Sequence, residues 1–298
     1  LPRLDPEVRR FWMLAVPAIL AGGITQINIF VGTIIASGAD NAISVLSYAD
    51  RLYQLPLGII GIAIGTVLLP ELSRHLKGGR ALEARQSQDQ ALFVSMLLTM
   101  PAAVALVALA EPIVRVLFER GAFDALATTQ TAEALIAFAT GLPAYVLIRV
   151  LQPGFFARED TLTPTIFAGV SVVANIAISL TLFPSLLHVG IAIATAASSW
   201  LNVVLLVATL AVRGHFRLSW PQWRAQLAIL VISLIMGAAL WLLAEQGAIH
   251  LVSGVPLWRQ AGVLAALIAF GVAVYFTLVH VSGTHDLRLL LRRLRRSA

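Results

Sequence analysis

The stretch LSYADRLYQLPLGIIGIAIGTVLLPELSRH, residues 46 to 75, decides how this chain folds. Its run from Leu52 to Leu69 is apolar and nearly long enough to cross a bilayer, whose hydrocarbon core is about 30 Å thick. Asp50 and Arg51 stand side by side just before that run. An ionised side chain costs about 2.5–3.5 kcal/mol at the centre of a membrane helix, so such residues commonly face a protein interior or a wet cavity. The stretch therefore predicts a membrane helix whose charged pair has a task.

A polar stripe runs along the same predicted helix. Ser47, Asp50 and Gln54 recur at the spacing i, i+3, i+7, which places them on one helical face. Two interpretations of Arg51 stay open: its stem snorkels to the headgroups, or its guanidinium serves a cavity. The stripe favours the cavity.

The predicted helix is also irregular. Pro56 and Pro70 weaken its internal hydrogen bonding, and the pattern Gly61-xxx-Gly65 lets another helix approach closely. An irregular helix with a polar stripe indicates a helix that lines a cavity and moves, rather than one that only anchors the chain in the membrane.

Composition indicates an all-α, polytopic membrane helix bundle. The chain has 298 residues, of which 59% are hydrophobic and 12% charged, and its mean hydropathy is +0.87. Apolar runs near 20 residues favour helices over a β-barrel. The absence of cysteine excludes disulfides and thiolate metal sites. Since the chain begins at Leu1, without Met, we expect a piece of a larger machine.

Hydropathy predicts about eight spans, with a short interfacial helix in the segment 111–127. The spans cover about 10–37, 43–74, 91–109, 131–150, 162–183, 190–212, 227–243 and 258–281. We expect three domains: a six-helix lobe over 1–220, two further membrane helices over 221–283, and a basic amphipathic tail over 284–298 that lies on the anionic inner leaflet.

The basic residues set the orientation. Most of the 21 Lys and Arg residues fall in loops on one side of the predicted spans and in the tail, so we expect both ends of this chain in the cytoplasm. The net charge of +6 therefore reflects membrane topology, and no nucleic-acid partner is expected. The localisation predicted is a membrane, with membrane lipids as neighbours.

No catalytic or metal-binding pattern is present in the sequence. The six histidines are scattered without ligand spacing, and there is no nucleophile elbow or phosphate loop. We therefore expect no enzymatic activity, no cofactor and no metal.

Other polar residues fall inside predicted spans. Two interpretations stay open for Asn28, Asn175, Ser179 and Thr195: hydrogen bonds between helices, or a small-cation site without a carboxylate. Arg149, at the end of the fourth span, is either an inner-interface anchor or a contact for phosphate at the cavity entrance.

Three stretches together resemble the MurJ/MviN family of lipid II flippases, in the multidrug/oligosaccharidyl-lipid/polysaccharide exporter superfamily. They read SYADRLYQLPLGIIGIAIGTVLLPELSRH (47–75), VLFERGAFD (116–124) and LIRVLQPGFFAREDTLTP (147–164). The resemblance implies two six-helix lobes around a central cavity and two extra C-terminal helices. This chain then corresponds to the second lobe with the extra pair, whose groove takes the lipid tail, and the N-terminal lobe is missing.

The resemblance also implies roles for residues. Asp50 and Arg51 match the family's charged pair at the cavity. Where the family has carboxylates for a sodium site, this sequence has Asn28 and Ser179, which argues against ion coupling by that route.

The predicted function is thus part of a flippase that moves lipid II, the undecaprenyl-pyrophosphate-linked peptidoglycan precursor, across the bacterial inner membrane by alternating access. Two alternatives remain: an exporter of another polyprenyl-linked oligosaccharide, and a membrane docking subunit that transports nothing. A docking subunit is expected to expose Asp50 and Arg51 to lipid or bulk water, whereas a transporter is expected to expose them to a cleft between its lobes.

Overall fold

A computed structural model of the chain describes residues 26–216, 219–247 and 255–282, together with Val8, Trp12 and Gly23. The described residues form helices joined by short turns, and no strand occurs among them. The helices are α1 (Gln26–Ala36), α2 (Ala42–Leu57), α3 (Ala63–Lys77), α4 (Ala81–Ala108), α5 (Ala110–Phe118), α6 (Ala125–Phe156), α7 (Leu162–Val212), α8 (Trp220–Gln246) and α9 (Leu257–Val281).

Six of the described helical segments are long and apolar enough to cross a membrane, which confirms an all-helical membrane fold. The helix α7 has 51 residues and so covers both the fifth and the sixth predicted spans. The first predicted span lies largely outside the described residues, as does the tail 284–298. The count of about eight spans stays a prediction.

Two of the membrane segments are broken. A π-helical turn, Gly58–Ile62, joins α2 to α3, two residues after Pro56. In α7, Leu187 has φ 48° and ψ −128°, so two helices meet there, three residues after Pro184. Proline removes a backbone donor and favours such breaks.

Helix ends elsewhere follow local chemistry. Ser219 and Gln222 form a capping box at the start of α8, where the backbone N–H of Ser219 donates to Oε1 of Gln222 over 2.7 Å. At the start of α6, Oδ1 of Asp124 accepts the N–H of Ala127 over 2.8 Å. The predicted interfacial helix corresponds to α5.

The chain forms two compact units. The first lies within Leu1–Ser95 and Glu133–Arg217, and the second within Met96–Ala132 and Leu218–Ala298. Two of the three boundaries fall inside α4 and α6, and the third falls between α7 and α8. The domain boundary predicted at residue 220, between a six-helix lobe and two further membrane helices, stays a prediction.

The second unit has its own core. Tyr275 of α9 is 1% exposed, and its hydroxyl donates to the backbone oxygen of Leu97 in α4 over 2.7 Å. Gly237 of α8 lies directly against Val104 of α4. Helices α8 and α9 also pack together.

Candidate functional site

A cavity of about 400 Å³ lies in the first unit, lined by residues of α1, α2, α6 and α7. Its walls are apolar in part, with Ile29, Leu46 and Ile191 among them. Polar side chains are concentrated on the same walls: Asn28, Thr33, Ser47, Asp50, Tyr53, Gln54, Asn175, Ser179 and Thr195. Seven of these nine are the residues that the sequence singled out.

The polar stripe of α2 supplies one wall of this cavity. Ser47, Asp50 and Gln54 all line it, as their helical spacing requires. The Gln54 side-chain amide donates to Oδ2 of Asp50. The hydroxyl of Ser47 donates a hydrogen bond to the backbone oxygen of Ile43 over 2.7 Å, so this hydroxyl already has a partner within the helix. Asp50 is therefore the charged group that this wall presents.

The lining residues of α1 and α7 carry a neutral hydrogen-bonded cluster. Nδ2 of Asn175 donates to Oδ1 of Asn28 over 2.9 Å, and Oγ of Ser179 donates to Oδ1 of Asn175 over 3.2 Å. Thr195 donates to the carbonyl of Ile191 over 2.9 Å. The four residues predicted as one polar cluster thus meet at one cavity, with amide and hydroxyl oxygens and no carboxylate of their own.

Arg51 does not line this cavity. Successive residues of an α-helix lie about 100° apart, so Asp50 and Arg51 point in different directions. The Arg51 side chain is exposed and makes no ion pair with the described residues. The adjacent charges therefore serve different surfaces of α2.

Arg149 is also exposed and lies outside the cavity lining. Its side chain passes over the π-helical turn at Gly61: a Cβ built on Gly61 would lie 2.7 Å from Cδ of Arg149. The Gly61-xxx-Gly65 pattern predicted the close approach of a helix, and the structure places α6 there. The sequence did not indicate which residue would use the gap.

Aromatic residues of the cavity escaped the sequence analysis. Tyr53 lines the cavity, and its ring centroid lies 5.0 Å from that of Phe138 and 5.2 Å from that of Tyr145. Offset and tilted pairs at these distances are favourable. Tyr53 follows Asp50 by three residues, and this spacing was the signal available in the sequence.

A second charged group forms at the ends of α6 and α7. Oδ2 of Asp160 lies 2.6 Å from Nη1 of Arg213, and Oδ1 accepts the N–H of Thr163 over 3.0 Å. The Arg213 guanidinium also lies over the Phe155 ring, 5.7 Å from its centroid. The two partners are 53 residues apart, so no local pattern in the sequence indicated this pair.

The pKa values of this group reflect their surroundings. Burial raises the pKa of Asp160, but the hydrogen bonds from Arg213 and Thr163 outweigh it and leave the pKa below its usual range. Burial, with the nearby charges of Arg158 and Arg213, lowers the pKa of His215. Burial likewise lowers the pKa of Arg158.

Long apolar helices around a polar cavity with one carboxylate define a polytopic helical membrane protein. Its similarity to known proteins specifies which kind. The family profile described as "Lipid II flippase MurJ" matches residues 1–259. The chain belongs to the lipid II flippase MurJ family.

Individual relatives agree with this assignment. The chain is 48% identical over 297 residues to "Probable lipid II flippase MurJ" of Rhizobium meliloti (strain 1021), covering 100% of this chain and 56% of the relative. It is 36% identical over 286 residues to "Lipid II flippase MurJ" of Burkholderia cenocepacia, covering 93% and 54%. The solved structure "Lipid II flippase MurJ, inward closed conformation" matches with a TM-score of 0.75 and 26% identity, covering 92% of this chain and 55% of that one. This chain thus spans about half the length of these relatives.

Proposed function

We propose that this chain forms the C-terminal lobe, with the last two membrane helices, of a flippase that moves lipid II from the inner to the outer leaflet of the bacterial cytoplasmic membrane. The observation that carries the proposal is the polar cavity with Asp50 in its wall, inside the apolar first unit of a chain of the MurJ family. In this arrangement the chain has eight spans with both of its ends in the cytoplasm, and α8 and α9 take the lipid tail.

The cargo explains why such a cavity is needed. Lipid II joins an undecaprenyl tail to a sugar-peptide head through pyrophosphate, and hydrocarbon would strip that head of water and leave its polar groups unpaired. A polar cavity between two lobes gives the head a wet path while the tail stays in lipid. The polar lining of the cavity of about 400 Å³ in this chain forms one wall of that path, and the N-terminal lobe of the full-length flippase supplies the other.

The two adjacent charges have separate tasks in this proposal. Asp50, held by Gln54, pairs with a base of the other lobe, and the pair breaks as the lobes rock between inward-open and outward-open states. Arg51, exposed on the neighbouring face of α2, attracts the pyrophosphate of the head as a permanently charged guanidinium. Ser47 and Gln54 complete the polar wall.

The neutral cluster has a structural task. Asn28, Asn175 and Ser179 already use their side chains on one another and offer a cation no carboxylate. Hard cations prefer several oxygen ligands that include carboxylates. The cluster therefore joins α1 to α7, and sodium coupling at this point is not part of the proposal.

The test uses the full-length protein in a strain depleted of its own lipid II flippase, with translocation of lipid II measured directly. We expect Arg51→Ala to abolish growth and translocation at normal expression, and Arg51→Lys to retain part of both because it keeps a positive charge. Normal translocation by Arg51→Ala would remove Arg51 from the mechanism. Equal or better translocation of another polyprenyl-linked glycan by the unmodified protein would overturn lipid II as the cargo.

A further inference from the structure

The side chain of Arg149 occupies the space beside Gly61 that a Cβ atom at position 61 would need. A Cβ on Gly61 would lie 2.7 Å from Cδ and 3.3 Å from Nε of Arg149. Carbon atoms of two residues that are not linked to each other make van der Waals contact at about 3.5–4.0 Å, so a separation of 2.7 Å is a clash. The Arg149 stem can therefore cross the π-helical turn Gly58–Ile62 only because residue 61 is glycine.

The neighbouring glycines do not have this property. A Cβ on Gly58 would meet nothing within 4 Å, and one on Gly65 would make an ordinary contact of 3.9 Å with the backbone oxygen of Arg149. The slot for the arginine stem is thus specific to Gly61. Single-turn π-helices inside α-helices are frequent at functional sites, which is consistent with a task for this turn.

The slot lies next to the cavity wall. Tyr145 precedes Arg149 by four residues and so occupies the same face of α6. Its ring contacts that of Tyr53, which lines the cavity, with centroids 5.2 Å apart. The contacts therefore run from the cavity through Tyr53 and Tyr145 to the turn of α6 that carries Arg149.

The guanidinium of Arg149 is available to a ligand. The side chain is exposed, and it makes neither an ion pair nor a hydrogen bond with any residue that the structure describes. A guanidinium presents several donors in a planar fork that matches phosphate oxygens. Fixing its stem reduces the conformational entropy that a long side chain loses on binding.

We propose that Gly61 is a positioning residue that holds Arg149 across the π-helical turn, so that its guanidinium contacts the pyrophosphate of the cargo beside the cavity. This inference rests on the proposed function. Gly61→Ala keeps the arginine but moves its stem, and the stem yields readily because it is a flexible chain rather than backbone. The variant therefore folds and loses the contact.

The experiment compares four variants of the full-length protein reconstituted in vesicles: Gly61→Ala, Gly58→Ala as the matched control, Arg149→Ala, and the double variant Gly61→Ala/Arg149→Ala. The lipid II concentration at half-maximal translocation and the melting temperature are measured for each. We expect Gly61→Ala and Arg149→Ala each to raise the half-maximal concentration by about tenfold, as the loss of a hydrogen bond to a charged group does. Gly58→Ala should match the wild type, and all four should melt close to it.

The double variant decides whether Gly61 acts through Arg149. We expect it to be no worse than Arg149→Ala alone, because without the arginine stem the slot is empty. Multiplied losses in the double variant, or a Gly61→Ala variant that behaves like Gly58→Ala, would overturn the positioning role while the wild type still moves lipid II. A wild-type protein that neither binds nor moves lipid II would overturn the proposed function, and this contact with it.

Discussion

Nδ2 of Asn175 donates a hydrogen bond to Oδ1 of Asn28 over 2.9 Å, across 147 residues of chain. The bond joins α7 to α1 at the cavity wall, and Ser179 extends it by donating to Oδ1 of Asn175 over 3.2 Å. Asn175 and Ser179 are both buried. Asn175 is the centre of the cluster, because it is both a donor and an acceptor within it.

We predict a graded loss of stability when this cluster is cut. Asn175→Ala removes both hydrogen bonds and leaves Oδ1 of the partly buried Asn28 without its donor, which together cost about 1–3 kcal/mol. Ser179→Ala removes one neutral bond and should cost about 1 kcal/mol or less. The melting temperatures of the two variants in the same detergent measure the difference. A Ser179→Ala variant that melts below Asn175→Ala would contradict the central position of Asn175.

A second prediction separates the charge of Asp50 from its hydrogen bond. Asp50→Asn keeps a side-chain oxygen that can accept from Gln54 but removes the charge, so translocation should fall by about tenfold or more, equivalent to roughly 1.4 kcal/mol. The melting temperature should stay near that of the wild type. The measurement is lipid II translocation by the full-length variant.

Gln54→Ala is the matched control for this change. It removes the hydrogen bond to Asp50 and retains the carboxylate in the cavity wall. We expect a smaller effect on translocation than that of Asp50→Asn. Equal losses in the two variants would mean that the hydrogen bond, and not the charge, is what transport requires.

Local patterns in the sequence were sufficient for the helices and for one wall of the cavity. Apolar runs predicted the membrane helices, and the spacing of Ser47, Asp50 and Gln54 predicted a shared face, which the structure places in the cavity lining. The breaks at the π-helical turn and at Leu187 lie close after prolines, but a proline does not specify the form of the break.

Contacts between distant segments were beyond the sequence analysis. The pairing of Asp160 with Arg213 and the contact of Tyr53 with Tyr145 depend on how helices meet, and no short pattern records this. The exposure of Arg51 was one of two open alternatives, since a charge near the end of a span suits both a headgroup and a cavity. The use of Gly61 by Arg149 depends on how closely α6 approaches the π-helical turn, which no short pattern records either.

A third prediction concerns acid at the junction of α6 and α7. The native pKa of Asp160 lies below its usual range, so the native state binds the proton less readily than the unfolded chain, in which the pKa of an Asp is about 3.9. The stabilisation is therefore complete above about pH 4 and is lost as the pH falls through the lower native pKa. Asp160→Asn should cost about 1 kcal/mol or less at neutral pH, because the partner Arg213 is largely exposed.

Melting temperatures between pH 7 and pH 3 test this prediction. The gap between wild type and Asp160→Asn should be constant down to about pH 4 and narrow below it, because acid then removes the charge from the wild type as well. Arg213→Ala provides the control: it removes the partner, and the double variant should be little worse than either single one. A gap that does not change with pH would show that Asp160 acts through packing alone.

The last prediction concerns Gly237, where two helices pack closely. A substitution there is expected to change the stability of the protein, not the position of a ligand-binding side chain. A Cβ on Gly237 would lie 2.2 Å from Cγ1 of Val104, on the neighbouring helix of the second unit. Valine in a helix is held almost entirely in one rotamer, so it cannot swing aside as the Arg149 stem can beside Gly61. Gly237→Ala should therefore force the helices apart and cost about 1–3 kcal/mol. Gly262→Ala, where a Cβ would meet nothing within 4 Å, is the control and should melt like the wild type. A Gly237→Ala variant that melts no lower than Gly61→Ala would show that the flexibility of the neighbouring side chain does not decide the cost.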